Sequence, residues 1–262
     1  MKNDIKIMGI LNITPDSFYD GKDNLTISSH RAHLESIKDA DIIDVGCESS
    51  RPGAKEVSCE EEIRRLNSFI PLIQKYPDKI FSIDTYKIEV MKHALSNGFS
   101  MVNDIKAGRN SNEIFNFVAE QDCKIVLMHM QGSPETMQIN PKYDSIIDTI
   151  ISFFEERINK AVKCGIKEKN IILDPGIGFG KTIENNDDII RNIRHIKKMG
   201  FDILMGISRK SFLQYENDKP TDRLPATLGV TAIMAKMGVD IIRVHDVKET
   251  ISMLNSVLRI VE

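Results

Sequence analysis

The sequence predicts a (β/α)8 barrel, formed as a single domain over residues 1–262. Eight short runs rich in β-branched residues recur along the chain, a segment long enough for a helix follows each, and polar residues stand at or near the end of every run. Runs that stay apolar on both faces suit a parallel sheet buried on both sides. Eight strand–helix units over about 250 residues match the size of a closed barrel. A doubly wound open sheet uses the same alternation and is the alternative.

The first run, "IKIMGILN", leads straight into Pro15 and Asp16 without a small-residue cleavage site, so it reads as a strand and not as a signal peptide. "ADIIDVG" is the second strand. The amphipathic stretch "CEEEIRRLNSFIPLIQ" gives the helix after it, with a solvated acidic first turn well placed on the helix dipole. "KIFSID", "SMVNDI" and "KIVLMH" supply strands three to five, and "SIIDTIISFFEERINKAV" then shows apolar residues at 3.6 spacing. "NIILDPG" precedes the helical "NDDIIRNIRHIKKM"; "DILMGIS" and "VDIIRVH" complete the strands, and "VKETISMLNSVLRIV" is the closing helix. No linker, low-complexity tract or charge block divides the chain.

Thirty-five basic and 38 acidic side chains nearly cancel, which argues against a general nucleic-acid surface and leaves any charged ligand to be met locally. Cys47, Cys59, Cys123 and Cys164 lack the spacing of a zinc site or a disulfide framework. No run reaches the roughly 20 apolar residues of a membrane span, so the cytoplasm is the expected compartment.

The polar ends of the runs carry the functional signal. Asn12 ends the first, Asp44 lies in the second, Asp84 ends the third, Asn103 and Asp104 the fourth, His129 the fifth and Asp174 the sixth. Ser208 to Lys210 follow the seventh, and Arg243 with His245 closes the eighth. Any one of these could cap a helix or hold a turn. Together, in a barrel, they converge on the C-terminal rim where barrel active sites lie. Strand alternation directs Asn103 inward and Asp104 toward the helices, and puts Arg243 and His245 on one face. His30, His33, His93 and His195 fall in helical patterns as surface or packing residues, Cys47 reads as a small packed residue, and Met128 and Met130 as packing. In "ESSRPGA", Arg51 stands before the stiff Pro52 and permissive Gly53, a placement suited to gripping phosphate with a guanidinium fork.

The stretch "DPGIGFGKT" looks at first like a nucleotide phosphate loop. That pattern needs a glycine where Pro175 stands, and Gly176, Gly178 and Gly180 recur too closely for the dinucleotide fingerprint. Taken with "MGILNITPDSF", "DVGCESSRPGA", "SIDTYK", "VNDI", "LMHMQGSPETMQ", "GISRKSF" and "RVHDV", it resembles the dihydropteroate synthase family almost end to end. That family is a (β/α)8 barrel that joins a dihydropterin-methyl diphosphate to 4-aminobenzoate.

The resemblance implies a pterin site of Asp84, Asn103, Asp174, Lys210 and Arg243. It implies a diphosphate site of Asn12, Ser50, Arg51, Arg243 and His245, with Asn12 as a Mg²⁺ ligand. The 4-aminobenzoate would lie between Pro52, Phe179 and Lys210, its carboxylate near Ser211 at the start of the next helix. Lys210, Arg51, Arg243 and His245 would carry the catalysis, and a homodimer is expected. The chain departs from the family pattern at Cys47 and Lys22, where glycines are usual, and at Ser50, where threonine is usual. A pterin-dependent methyltransferase domain or a non-catalytic pterin-binding paralogue are the competing readings; the first would have no use for "SSRPGA" or for the Arg243 and His245 pair.

Overall fold

Inward-facing side chains define this barrel before its helices do. Strands β1 (Lys6–Asn12), β2 (Ile42–Gly46), β3 (Ile80–Asp84), β4 (Met101–Asp104), β5 (Lys124–Met128), β6 (Ile171–Asp174), β7 (Asp202–Met205) and β8 (Ile241–Val244) pair in parallel in sequence order. β8 pairs back onto β1, Met8 opposite Arg243, which closes the barrel and rules out the open sheet. The structure is a computed structural model, and it describes residues 5–14, 26–49, 54, 56–109, 111–134, 136–216 and 218–261.

Met8, Ile42, Met101, Val126, Ile172, Leu204 and Ile241 pack together inside the barrel, with Ile80 against them. Because alternate strand residues share a face, stepping on by two from this plug gives Asp44, Asn103, Asp174 and Arg243 as the next inward layer. A step of four gives Asn12 and Asp84. The residues in between, among them Leu11, Ile43, Ile83, Val102, Leu173 and Val244, belong to the larger core between barrel and helices. Phe69, Phe81 and Phe99 stack edge to face there, with centroids 5.9 and 6.0 Å apart, contributing about 0.5–1.5 kcal/mol per pair beyond area burial.

The outer ring comprises α1 (Ile27–Ser36), α2 (Cys59–Asn67), α3 (Ile70–Ile73), α4 (Ile88–Ser96), α5 (Asn112–Gln121), α6 (Ile146–Lys163), α7 (Ile183–Lys197), α8 (Leu224–Lys236) and α9 (Val247–Val261). Three local expectations are corrected. The stretch 59–74 is not one helix, because Pro71 has no N–H to continue the ladder and instead sits in the first turn of α3. Nor is its acidic start wholly solvated: Glu61 pairs with Arg64 and Arg65, but Glu62 is 1% exposed and meets Lys87 Nζ at 2.6 Å. Ser211 likewise opens only a single 3-10 turn, Ser211–Leu213, since the full helix after β7 begins at Leu224. The helix-terminal charge invoked for its carboxylate partner is therefore absent at Ser211.

Gly176, Gly178 and Gly180 have φ of 70°, 78° and 63°, the left-handed region that the loop after β6 needs in order to fold back over the barrel mouth. A Cβ on Gly176 would lie 2.0 Å from the His129 carbonyl oxygen. Gly176→Ala is expected to lower unfolding stability by about 3 kcal/mol or more in urea titrations. Gly200→Ala has a comparable φ of 88° but nothing within 4 Å of its added Cβ; it should cost only about 1–2 kcal/mol.

Candidate active site

The centre of the barrel mouth is an arginine shared by two carboxylates. Arg243, on β8, donates from Nε to Asp44 Oδ2 and from Nη2 to Asp84 Oδ2, both at 2.7 Å. Asp44 Oδ2 also accepts from Asn103 Nδ2 at 3.0 Å, so β2, β3, β4 and β8 are tied across the interior. On the opposite side, Asp174 Oδ1 accepts from Gly176 N at 2.7 Å. Lys210 Nζ donates to the Ile177 carbonyl and lies 4.6 Å from the centre of the Phe179 ring, a cation–π distance. Two residues on from the inward Leu204, just past the end of β7, stands Gly206, where an added Cβ would lie 3.9 Å from both Lys210 Nζ and Arg243 Cβ. The missing side chain gives those two cations room to flank one space.

Burial and crowding perturb these groups in opposite directions. Burial pushes Asp84 up to about 7, against the pull of Arg243, while Asp44, Glu62 and Asp104 push the same way as burial. Burial also raises Asp174, opposed by Lys210. Lys210 is lowered to about 8 by burial, opposed by Asp174 and assisted by Arg243. Burial alone would lower Arg243, yet Asp44 and Asp84 outweigh it and raise the guanidinium.

At the cationic side, Ser208 Oγ accepts from the His245 backbone N–H at 3.2 Å and lies 2.9 Å from His245 Nδ1. With a lone pair engaged by that N–H, the hydroxyl can donate its own hydrogen bond to Nδ1, which leaves Nε2 to carry the ring proton as a donor. Asn12 ends β1 opposite Gly46, whose added Cβ would come within 3.3 Å of Asn12 Oδ1. Glycine at this point keeps the space beside the amide oxygen open.

Asn12, Asp84, Asn103, Asp174 and Arg243 thus come from five strands, Lys210 from the segment after β7 and His245 from just past β8, to a single rim, and Phe179 stands over it. Ser50, Arg51 and Pro52 lie outside the described residues. His129 is not part of the rim. Its ring faces outward against Phe153 and Tyr143, with centroids 5.1 and 6.1 Å away, and β5 presents Met128 inward instead. Asp104 also turns outward, as alternation requires, and accepts from the backbone of Lys106 and Gly108.

Sequence reasoning does not mark Asp44, Lys181, Gln138, Tyr143, Lys87 or Tyr86 as site residues. Asp44 was seen only as a polar residue in a strand, although an acid inside an apolar run, in phase with Asp84, is itself a signal. Lys181, 4% exposed, donates to the carbonyls of His129 and Phe179 at 3.1 and 2.9 Å and so locks the loop after β6 to the end of β5. Gln138 Nε2 and Tyr143 Oη complete that lock on Gly178 and Gly180. Lys87 joins Glu48, Glu62 and the Val57 carbonyl, and Tyr86 Oη donates to Glu48 at 2.9 Å. Nothing in their spacing marks these last contacts.

Fold and site together define a pterin-binding barrel. The sequence model of the pterin binding enzyme family matches residues 8–245, and the chain belongs to that family. Its relatives there are dihydropteroate synthases. The Escherichia coli K12 enzyme is 40% identical over 260 residues, covering 96% of this chain and 90% of the relative. The Haemophilus influenzae enzyme is 37% identical, covering 95% and 91%. Among solved structures, Yersinia pestis dihydropteroate synthase in a sulfonamide drug complex superposes with a TM-score of 0.91 at 35% identity, covering 98% of this chain and 94% of the other. The Xanthomonas albilineans synthase with 4-aminobenzoic acid gives 0.89 at 34% identity, covering 98% and 93%.

Arg243→Ala would leave Asp44 and Asp84 facing each other inside the barrel without a cation. The expected cost is about 3–5 kcal/mol at pH 8, read from urea titrations. Removing the cation raises the folded-state affinity of Asp84 for a proton further above that of the unfolded chain. Protonation then restores stability as pH falls, so the loss should shrink at pH 5.

Proposed function

We propose that the protein acts as a dihydropteroate synthase of folate biosynthesis, joining 7,8-dihydropterin-6-ylmethyl diphosphate to 4-aminobenzoate with release of diphosphate. The observation that carries this reading is the meeting, at the inner mouth of the barrel, of the carboxylates Asp84 and Asp174, the amide Asn103 and the cations Lys210 and Arg243. A pterin's amino-pyrimidinone edge offers adjacent N–H donors beside a carbonyl. Asp84, Asp174 and Asn103 supply acceptors to it, and Lys210 donates to the carbonyl or a ring nitrogen. In this reading Arg243 serves both the ring and the phosphate oxygens, and His245, two residues on, serves the phosphate.

In this reading the carbon–oxygen bond at the pterin methylene breaks first and the diphosphate leaves with the electron pair. The conjugated ring spreads the positive charge, the arylamine lone pair forms the new carbon–nitrogen bond, and the amine proton passes to solvent. The protein's own groups assist by holding charge where it develops. Arg243, His245 and, in its own segment, Arg51 with Ser50 receive the departing diphosphate, while Asp84 and Asp174 favour the electron-poor ring. Lys210 over Phe179 forms one wall for 4-aminobenzoate, with Pro52 and Ser211 as its other contacts; the Xanthomonas albilineans neighbour was solved with that acid.

Asn12 suits Mg²⁺: its amide oxygen is a hard donor beside the open space at Gly46. Mg²⁺ would take most of its remaining oxygens from diphosphate and water. Bound there, the ion would neutralise charge on the diphosphate. No described helix is long and apolar enough to cross a membrane; the proposed setting is the cytoplasm, with the chain paired as a homodimer. The Yersinia pestis neighbour was solved in a sulfonamide drug complex, and competition between sulfonamides and 4-aminobenzoate is proposed here too.

The direct test incubates the protein with Mg²⁺, the dihydropterin diphosphate and 4-aminobenzoate and measures dihydropteroate and diphosphate. Pterin binding without product would leave a binding protein and end the synthase reading. The site's titrations give a further expectation. Asp84 at about 7 loses its acceptor role by protonation below that pH, and Lys210 at about 8 loses its charge above that pH. Hence kcat/KM should be bell-shaped with limbs near pH 7 and 8, reporting the free enzyme. Lys210→Met should keep the acid limb and lose the alkaline one.

A further inference from the structure

We infer that Asp44 is the positioning residue of the pterin pocket: it fixes which face of the Asn103 amide meets the ligand and holds the Arg243 fork in register with Asp84. The inference rests on the reading above that this cavity takes a pterin ring.

Asp44 is fully buried within the barrel, and its Oδ2 serves two donors, Asn103 Nδ2 at 3.0 Å and Arg243 Nε at 2.7 Å. A carboxylate in contact with a guanidinium accepts hydrogen bonds and donates none. The amide nitrogen of Asn103 must therefore face Asp44, and its carbonyl oxygen is left for the cavity. Beside a hydroxyl or another amide, either orientation of Asn103 would be available, and the pocket could present a donor or an acceptor there. Arg243 is constrained by the same atom. With Nε engaged by Asp44, the guanidinium plane is set, and only its terminal nitrogens remain for other partners, one of them at Asp84.

The arrangement is costly as structure alone. Asp44 Oδ1 and the adjacent inward Ser82 Oγ are buried without hydrogen-bond partners among the described residues, whereas the inward residue two positions earlier on β2, Ile42, packs in an apolar plug. An acid kept under those conditions is accounted for by what it orients.

Charge exchange between the two side chains tests this. Unsubstituted pterin is titrated calorimetrically into wild type, Asp44→Asn, Asn103→Asp and the double variant, with circular dichroism confirming the fold of each. Asp44→Asn should weaken pterin at least tenfold, since Asn103 is then free to turn its amide. Asn103→Asp should weaken it further by setting two carboxylates together. In the double variant the amide at position 44 can again donate to a carboxylate at position 103, and at least tenfold of the Asn103→Asp loss should return. Equal affinity of Asp44→Asn and wild type, or no recovery in the double variant, overturns the inference and leaves the functional reading standing. Wild type that binds no pterin overturns both. If Asp44→Asn does not fold, wild type labelled with [15N]asparagine decides. The Asn103 side-chain N–H₂ signals, identified by their loss in Asn103→Asp, should exchange slowly both without and with pterin. Free exchange in either state overturns the inference.

Discussion

The contact between Arg243 and the two carboxylates Asp44 and Asp84 is the constraint on which the rest of the site depends. Placing three charges inside a barrel is unfavourable unless each is compensated within hydrogen-bonding distance, and here β8 answers β2 and β3 directly. That answer is only possible because β8 returns to pair with β1. In an open sheet of the same strands the first and last would be edges, far apart. Closure of the barrel is thus part of the chemistry of the site as well as of its packing.

The two sides of the mouth are held by different means. On the β2–β3 side, ion pairs do the work: Lys87 gathers Glu48 and Glu62, and Arg243 gathers Asp44 and Asp84. Burial there pushes Glu62 and Asp84 each up to about 7, so the network carries less charge than its formal count suggests. On the β5–β6 side, the anchors are main-chain carbonyls. Those of His129, Ile177, Phe179, Gly178 and Gly180 receive Lys181, Lys210, Gln138 and Tyr143. The glycine turns make such close backbone approach possible.

Much of this was legible in the sequence because the inward step of two residues is fixed by strand geometry. Once "SID", "VND" and "RVH" are strands in a closed barrel, Asp84, Asn103 and Arg243 have one face available to them. His129 misled for the same reason: it ends a strand, but on the outward phase, and Met128 marks the inward one. The burial of Glu62 and the break at Pro71 depend, respectively, on a long-range partner, Lys87, and on a missing N–H within an otherwise helical pattern. Lys181 and Lys87 were illegible because their partners are carbonyls or distant acids that no local spacing encodes. Family resemblance supplied the ligand roles; polarity and periodicity supplied only the rim.

The glycine-built wall over β6 bears on how the protein can change. Its shape is written in backbone torsions and carbonyl positions, which survive almost any replacement of a neighbouring side chain. A molecule that draws its affinity from that surface therefore faces a part of the cavity with few routes to escape by point mutation, because altering the surface means altering Gly176 or Gly180 and the turn with it.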